Sequence, residues 1–139
     1  MNLRDQLVRE EGSIAHAYQD SLGFWTIGVG RLIDARKGGR LRQSEIDLLL
    51  DNDIADARQR LSASLPWLPT LSEPRQAVLI GMAFQLGVVG VLAFSQTLAA
   101  VRDAHYDHAA LLMLQSQWAK QTPERAQRLS RQMASNEWN

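Results

Sequence analysis

Apolar positions change period along this chain, and the changes predict one short helix, a strand pair and then a long helical remainder. Leu3, Leu7 and Val8 mark one helical face behind Asn2, a good N-cap, and Gly12 suits the position just past the helix end. The opening helix therefore ends at Glu11. Two strand-like runs follow at residues 15–19 and 24–29, with Asp20-Ser21-Leu22-Gly23 as the turn between them. From about residue 43 to 61, Ile46, Leu49, Leu50, Ile54, Ala57 and Leu61 return to helical spacing, with Asp51, Asp53, Asp56, Arg58 and Arg60 largely on other faces. Residues 77–94 are almost uninterruptedly apolar, near the ~18 residues at which a membrane helix becomes a candidate. Gln85, Gly87 and Gly90 read better as a buried helix over about 74–86, stopped by Gly87, then a tight turn and a second helix from near Ser95. Pro66 and Pro69 punctuate the preceding connection, and Glu73-Pro74 opens the core helix. Asp107 is expected to cap a helix over about 108–115, and Thr122-Pro123-Glu124 to start the last one.

The pattern predicts an α+β, mostly helical chain with a small antiparallel hairpin. The 139 residues fit a single domain, 1–139, with a small β lobe over about 13–42, a linking helix over about 43–61, and a helical lobe over about 62–139 plus the N-terminal helix. Residues 35–40 form a basic, glycine-containing loop closing the β lobe, and no repeat or low-complexity tract is present. The chain has no cysteine, which suits a reducing cytoplasm, and Met1-Asn2-Leu3-Arg4-Asp5-Gln6 lacks the apolar stretch of a secretory signal. Fifteen basic residues balance fifteen acidic ones, which argues against nucleic acid as the main partner.

Candidate chemistry lies in the front segment. Breaking a glycosidic bond needs a carboxylic acid that protonates the leaving oxygen and an ionised carboxylate that directs a water or stabilises positive charge on the sugar. Glu11 faces the negative end of a helix dipole, which favours its proton-donating form, whereas Asp20 on a hairpin tip can stay wet and ionised. Thr26 supplies a hydroxyl nearby in sequence. Glu10 competes with Glu11 for the acid role, and a Glu before Gly or an Asp before a turn is also ordinary structural usage.

The segment Glu11-Gly12, Tyr18-Gln19-Asp20, Gly23 and Trp25-Thr26-Ile27-Gly28-Val29-Gly30 resembles the signature of the T-even-phage type lysozymes, the muramidases and endolysins of glycoside hydrolase family twenty-four. Met82-Ala83-Phe84-Gln85-Leu86-Gly87, with Gly90, Phe94 and Leu98, resembles the family's core helix and its exit. Trp118, Gln121-Thr122-Pro123, Arg125 and Ala126 resemble its C-terminal motif. The resemblance implies a two-lobed lysozyme-like fold with a cleft between lobes. It implies an inverting hydrolase of the β-1,4 linkage between N-acetylmuramic acid and N-acetylglucosamine, for bacterial cell lysis. By resemblance Glu11 is the general acid, Asp20 positions or activates the water, and Thr26 helps hold it. Arg125 matches the arginine that pairs with the catalytic glutamate. Leu32, Phe84 and Thr97 carry over as sugar-binding positions, with Gln85 as a supporting hydrogen-bonding group. From the residues alone, Phe84 and Leu32 read as core, Gln85 as a helix-end cap and Arg125 as a solvated surface cation. The implied partner is bacterial peptidoglycan, met by a monomer of phage or prophage origin held in the host cytoplasm before release to the wall. No cofactor, metal, nucleic acid or stable membrane insertion is implied.

Two residues depart from the family pattern: Arg31, where histidine is common, and Leu112, where asparagine is frequent. Arg31 is expected to be a structural substitution that keeps a cation for a carboxylate of the linking region. Leu112 removes a potential sugar hydrogen bond. The connection between hairpin and linking helix is also short, which predicts a trimmed β lobe. His105 and His108 have a spacing compatible with a metal, but no cysteine or acidic cluster completes a site; His16 is expected to be exposed. Arg31, Arg36, Lys37, Arg40 and Arg42 form a local basic cluster that either attracts an anionic wall or is simply a solvated loop face. The alternative function is a catalytically quiet glycan-binding domain or a phage-tail assembly domain of the same fold.

Overall fold

A computed structural model describes residues Met1–Asn139. The chain forms two compact units, Met1–Leu50 and Asp51–Asn139.

The first unit opens with helix α1, Leu3–Glu11. Asn2 caps it through a reciprocal pair in which the Asp5 N–H donates to Asn2 Oδ1 at 2.9 Å and the Asn2 N–H donates to Asp5 Oδ2 at 3.3 Å. Gly12 ends the helix, its N–H donating to the Val8 carbonyl. Strands β1, Ile14–Gln19, β2, Trp25–Gly28, and β3, Arg31–Leu32, form an antiparallel sheet in the order β1-β2-β3. The hairpin turn falls as the sequence predicts; β3 is an addition, since a two-residue strand leaves no periodic signal. The basic loop contains a single 3-10 turn, Ala35–Lys37, started by Asp34 and ended by Gly38.

The boundary between the units falls inside helix α2, Gln43–Ser64, three residues longer than its apolar stripe predicts. The stripe changes character along the helix: Ile46, Leu49 and Leu50 are exposed, whereas Leu61 is completely buried.

The apolar core belongs to the second unit. Leu68, Leu79, Met82, Met113 and Met133 are completely buried there together with Leu61. Burial of such side chains contributes roughly 1.5–3 kcal/mol each. Helix α3, Glu73–Leu92, begins with Pro74 in its first turn. It is long and apolar enough to cross a membrane by length and composition, and in this unit it supplies Val78, Leu79, Met82 and Val91 to the core. Gly87, at φ +74° and ψ 164°, breaks the helical geometry where a stop is predicted, but one further turn follows it to Leu92. Helices α4, Ser95–Arg102, α5, Tyr106–Leu114, α6, Gln117–Gln121, and α7, Pro123–Ser135, complete the unit. α5 packs on α4 and α7, and α3 and α6 also pack on α7.

Two expectations are corrected here. Asp107 does not cap α5: the helix starts at Tyr106, because that ring is half-buried against the core and covered by the Arg75 guanidinium 3.5 Å from its centroid. Docking of Tyr106 thus starts the helix earlier than cap chemistry suggests, and Asp107 sits in the first turn. The second correction is α6, a short helix that the periodicity misses and that Ser116 caps, its Oγ accepting from the Ala119 N–H at 3.1 Å.

Candidate active site

The first unit presents Glu11, Asp20, Thr26 and Leu32. Glu11 is the last residue of α1 and is exposed. Its carboxylate lies against Gly30: a Cβ added at that glycine would stand 2.9 Å from Glu11 Oε2. Gly30 also has φ +65°, so both its conformation and this approach call for glycine. Glu10 is engaged elsewhere, its Oε1 accepting from Arg9 Nη2 at 2.8 Å on an exposed surface. That separates the two candidate acids.

Asp20 begins the hairpin turn. Its Oδ1 accepts from the N–H groups of Leu22 at 2.9 Å and Phe24 at 2.8 Å, and Oδ2 takes no hydrogen bond. Thr26 lies on β2 opposite Tyr18 and is only 4% exposed. Its hydroxyl donates to the Phe24 carbonyl at 3.1 Å, so toward any further group it can only accept. The register Tyr18↔Thr26 and Gln19↔Trp25 puts Asp20 and Thr26 on one face of the hairpin as diagonal neighbours, a relation that spans about 7–8 Å.

Leu32 is half-buried on β3 and lines a groove with Gly30, Lys37, Arg40 and Arg42. The basic cluster therefore borders the strand end that touches Glu11. Arg31 lies on β3 and pairs with Glu45 at 2.6 Å, the predicted cation for a carboxylate of the linking helix. The Glu45 carboxyl is held below its ordinary value chiefly by the Arg42 N–H, then by Arg31, against an opposing cost of burial.

Asp34 is the residue that sequence reasoning missed. It is 7% exposed, and the Arg36 side chain bonded to it, helped by the N–H groups of Arg36 and Trp25, holds its carboxyl well below the usual carboxylate range despite burial. The local signal existed: Asp followed by Ala35-Arg36-Lys37-Gly38 has the cap and terminal glycine of a one-turn helix.

In the second unit, Phe84 is 49% exposed, which decides against the core reading, and it lines a groove with Asp53, Asp56 and Arg60. Gln85 is not a helix-end cap; its Oε1 accepts from the Trp118 indole N–H at 2.9 Å. That bond satisfies the donor of a buried ring set edge-on to Phe94. Gln85 also lines a shallow groove with Arg125, which is exposed on α7. Thr97 is buried on α4, and it shares a groove with Leu112, Gln115 and Ser116. Leu112 therefore lies beside a candidate sugar-binding position and presents it with an apolar wall.

The family model of phage lysozyme matches residues 8–135. This chain belongs to the phage lysozyme family. By family it is a glycoside hydrolase, and its helix-rich fold with a small antiparallel sheet agrees. The chain is 28% identical to probable T4-type lysozyme 1 of Dictyostelium discoideum, a match covering 92% of the chain and 91% of that protein. It is 28% identical to the pre-baseplate central spike protein Gp5 of Enterobacteria phage T4, over 94% of the chain but only 27% of that longer protein. Peptidoglycan hydrolase gp36 of Pseudomonas phage phiKMV is 25% identical, over 96% of the chain and 15% of gp36. The lysozyme domain thus corresponds both to a nearly whole relative and to a part of much larger phage proteins.

Proposed function

We propose that this member of the phage lysozyme family cleaves peptidoglycan at the β-1,4 linkage between N-acetylmuramic acid and N-acetylglucosamine, with inversion at the anomeric carbon. The observation that carries the mechanism is the bonding of Asp20 and Thr26. Asp20 Oδ1 is occupied by two backbone N–H groups, which leaves Oδ2 as the acceptor, and the Thr26 hydroxyl has its proton committed to the Phe24 carbonyl. A water between them donates one proton to each acceptor and turns a lone pair outward to attack. Asp20 then removes a proton as the bond forms, while Glu11 protonates the departing oxygen. Leu32, Phe84 and Thr97 are the proposed sugar contacts, with Arg125 and Gln85 as supporting groups. Peptidoglycan hydrolase gp36 and the Dictyostelium lysozyme support the substrate class. The enzyme acts on the wall as a monomer and without cofactor after release from the host cytoplasm.

The test is reducing-end release from purified peptidoglycan by the unmodified chain and by Glu11→Gln. Loss of release, by about 10²–10⁴-fold as expected for removing a general acid, with an unchanged thermal melt, supports the assignment. Full activity in the variant transfers the role to another group. No release by the unmodified chain, with wall binding intact, favours a glycan-binding domain instead. The similarity to Gp5 favours a second reading, a domain carried on phage particles, which co-sedimentation with particles tests and which is compatible with activity.

A further inference from the structure

We propose that Asp34 and Arg36 are positioning residues for hydrolysis, holding Asp20 and Thr26 in place through Phe24; this rests on the roles given above to Asp20 and Thr26.

Only two side chains of the first unit are buried, Thr26 and Asp34, and both are polar. A buried carboxylate is costly unless donors surround it. Asp34 has four: its Oδ1 accepts from Arg36 N at 2.9 Å and Arg36 Nε at 3.0 Å, and its Oδ2 from Arg36 Nη2 at 2.7 Å and Trp25 N at 3.4 Å. The two-toothed contact fixes the guanidinium plane as a single hydrogen bond could not.

The fixed guanidinium lies over the Phe24 ring, with its central carbon 5.2 Å from the ring centroid, and Lys37 Nζ approaches the same ring at 4.9 Å. Both are within the range of a cation attracted to a ring face. The backbone of Phe24 in turn serves both water-handling residues. Its N–H donates to Asp20 Oδ1 at 2.8 Å, and its carbonyl accepts from Asp20 N at 2.9 Å and from Thr26 Oγ1 at 3.1 Å. The next residue is tied from the other direction, since the Trp25 carbonyl accepts from the N–H groups of Ile33 at 2.9 Å and Asp34 at 3.2 Å.

Asp34 thus holds the Phe24–Trp25 step by two routes, the Arg36 side chain over the ring and the direct bond to the Trp25 N–H. If the clamp opens, the Phe24 N–H moves relative to Asp20, and the carboxylate that orients the water turns with it. Displacements near 1 Å can cost a reaction about 10²-fold. Arg36 is suited to the test because its side chain is 68% exposed, so replacing it leaves no cavity.

The experiment measures kcat and KM for reducing-end release, together with amide hydrogen exchange at Leu22 and Phe24, in Arg36→Gln and in Phe24→Leu, which keeps an apolar side chain but removes the ring. The expected result is a kcat lowered about tenfold or more, KM within about twofold, and faster exchange at those two amides with the rest of the β1–β2 ladder unchanged. A kcat within about twofold of the unmodified chain overturns the proposal, as does a fall in kcat with both amides unaltered. If the unmodified chain releases no reducing ends, the hydrolase reading fails on its own. The clamp is then decided by exchange: faster exchange at Leu22 and Phe24 sustains it, and unchanged protection removes it.

Discussion

The two units of this chain are held together by different physics. Asp51–Asn139 buries a contiguous apolar cluster reaching from Leu61 to Met133, whereas Met1–Leu50 buries no apolar side chain and closes around Thr26 and Asp34. A core of methionine, leucine and valine is stabilised by area removed from water and tolerates exchange among residues of similar volume. A unit organised by capping bonds, an aspartate turn and a two-toothed ion pair depends instead on direction and on the state of charge. The proposed acid and water-handling groups lie in the directional unit. That is where a site needs fixed lone pairs more than it needs stability.

The contrast can be broken most sharply by pairing two substitutions. Glu11→Gln is expected to remove hydrolysis while leaving the melting curve in place, because the side chain proposed as the acid is exposed and packs little. Leu79→Ala should do the reverse: a loss of ~3 kcal/mol by denaturant unfolding, from a cavity at a completely buried position, with rate per folded molecule retained. A Glu11→Gln protein that melts early, or a Leu79→Ala protein as stable as its parent, would erase the distinction.

Gly30→Ala sharpens it within the first unit. The new Cβ meets the Glu11 carboxylate and the backbone pays for φ +65°, so a stability loss of about 1 kcal/mol should accompany a disproportionate fall in kcat. Comparing kcat with the denaturation midpoint checks this; a fall in stability alone would show that Glu11 simply moves aside.

Asp34→Asn tests the directional unit by pH. The folded carboxyl is held far below its ordinary value, mainly by Arg36, so its stabilising contribution is present above the unfolded pKa of about 3.9 and is lost as pH falls toward the folded value. Melting temperatures of parent and variant should differ by a constant amount from neutrality down to about pH 5, then converge below about pH 4. A gap that persists unchanged in acid would assign the effect to shape and not to charge. The smallest effect is expected from Arg42→Gln in the basic groove: slightly weaker binding to purified walls at low salt, vanishing at high salt. Equal binding at both would leave the groove as a solvated face.

Much of this was legible in the chain. Asn2, Gly12 and the Asp20 turn encode their structures locally, because a cap or a turn is satisfied by atoms a few residues away. Gly87 marked its break for the same reason, and Arg31 found the kind of partner its position suggested. α6 and the true start of α5 were not legible, since one rests on a single capping serine and the other on the docking of Tyr106 under Arg75. Gln85 could be read as a cap until Trp118, thirty-three residues away, claimed its oxygen.

By itself, the sequence determined the family, the order of the longer helices and the hairpin, and the residue types available for acid–base chemistry, because these follow from local periodicity and short motifs. Only the tertiary structure decided that Glu11 and not Glu10 meets Gly30, that Phe84 faces solvent, that Leu112 shares a groove with Thr97, and that Asp34 is buried under Arg36. Burial and pairing depend on which distant segments meet, and no pattern confined to neighbouring residues carries that information.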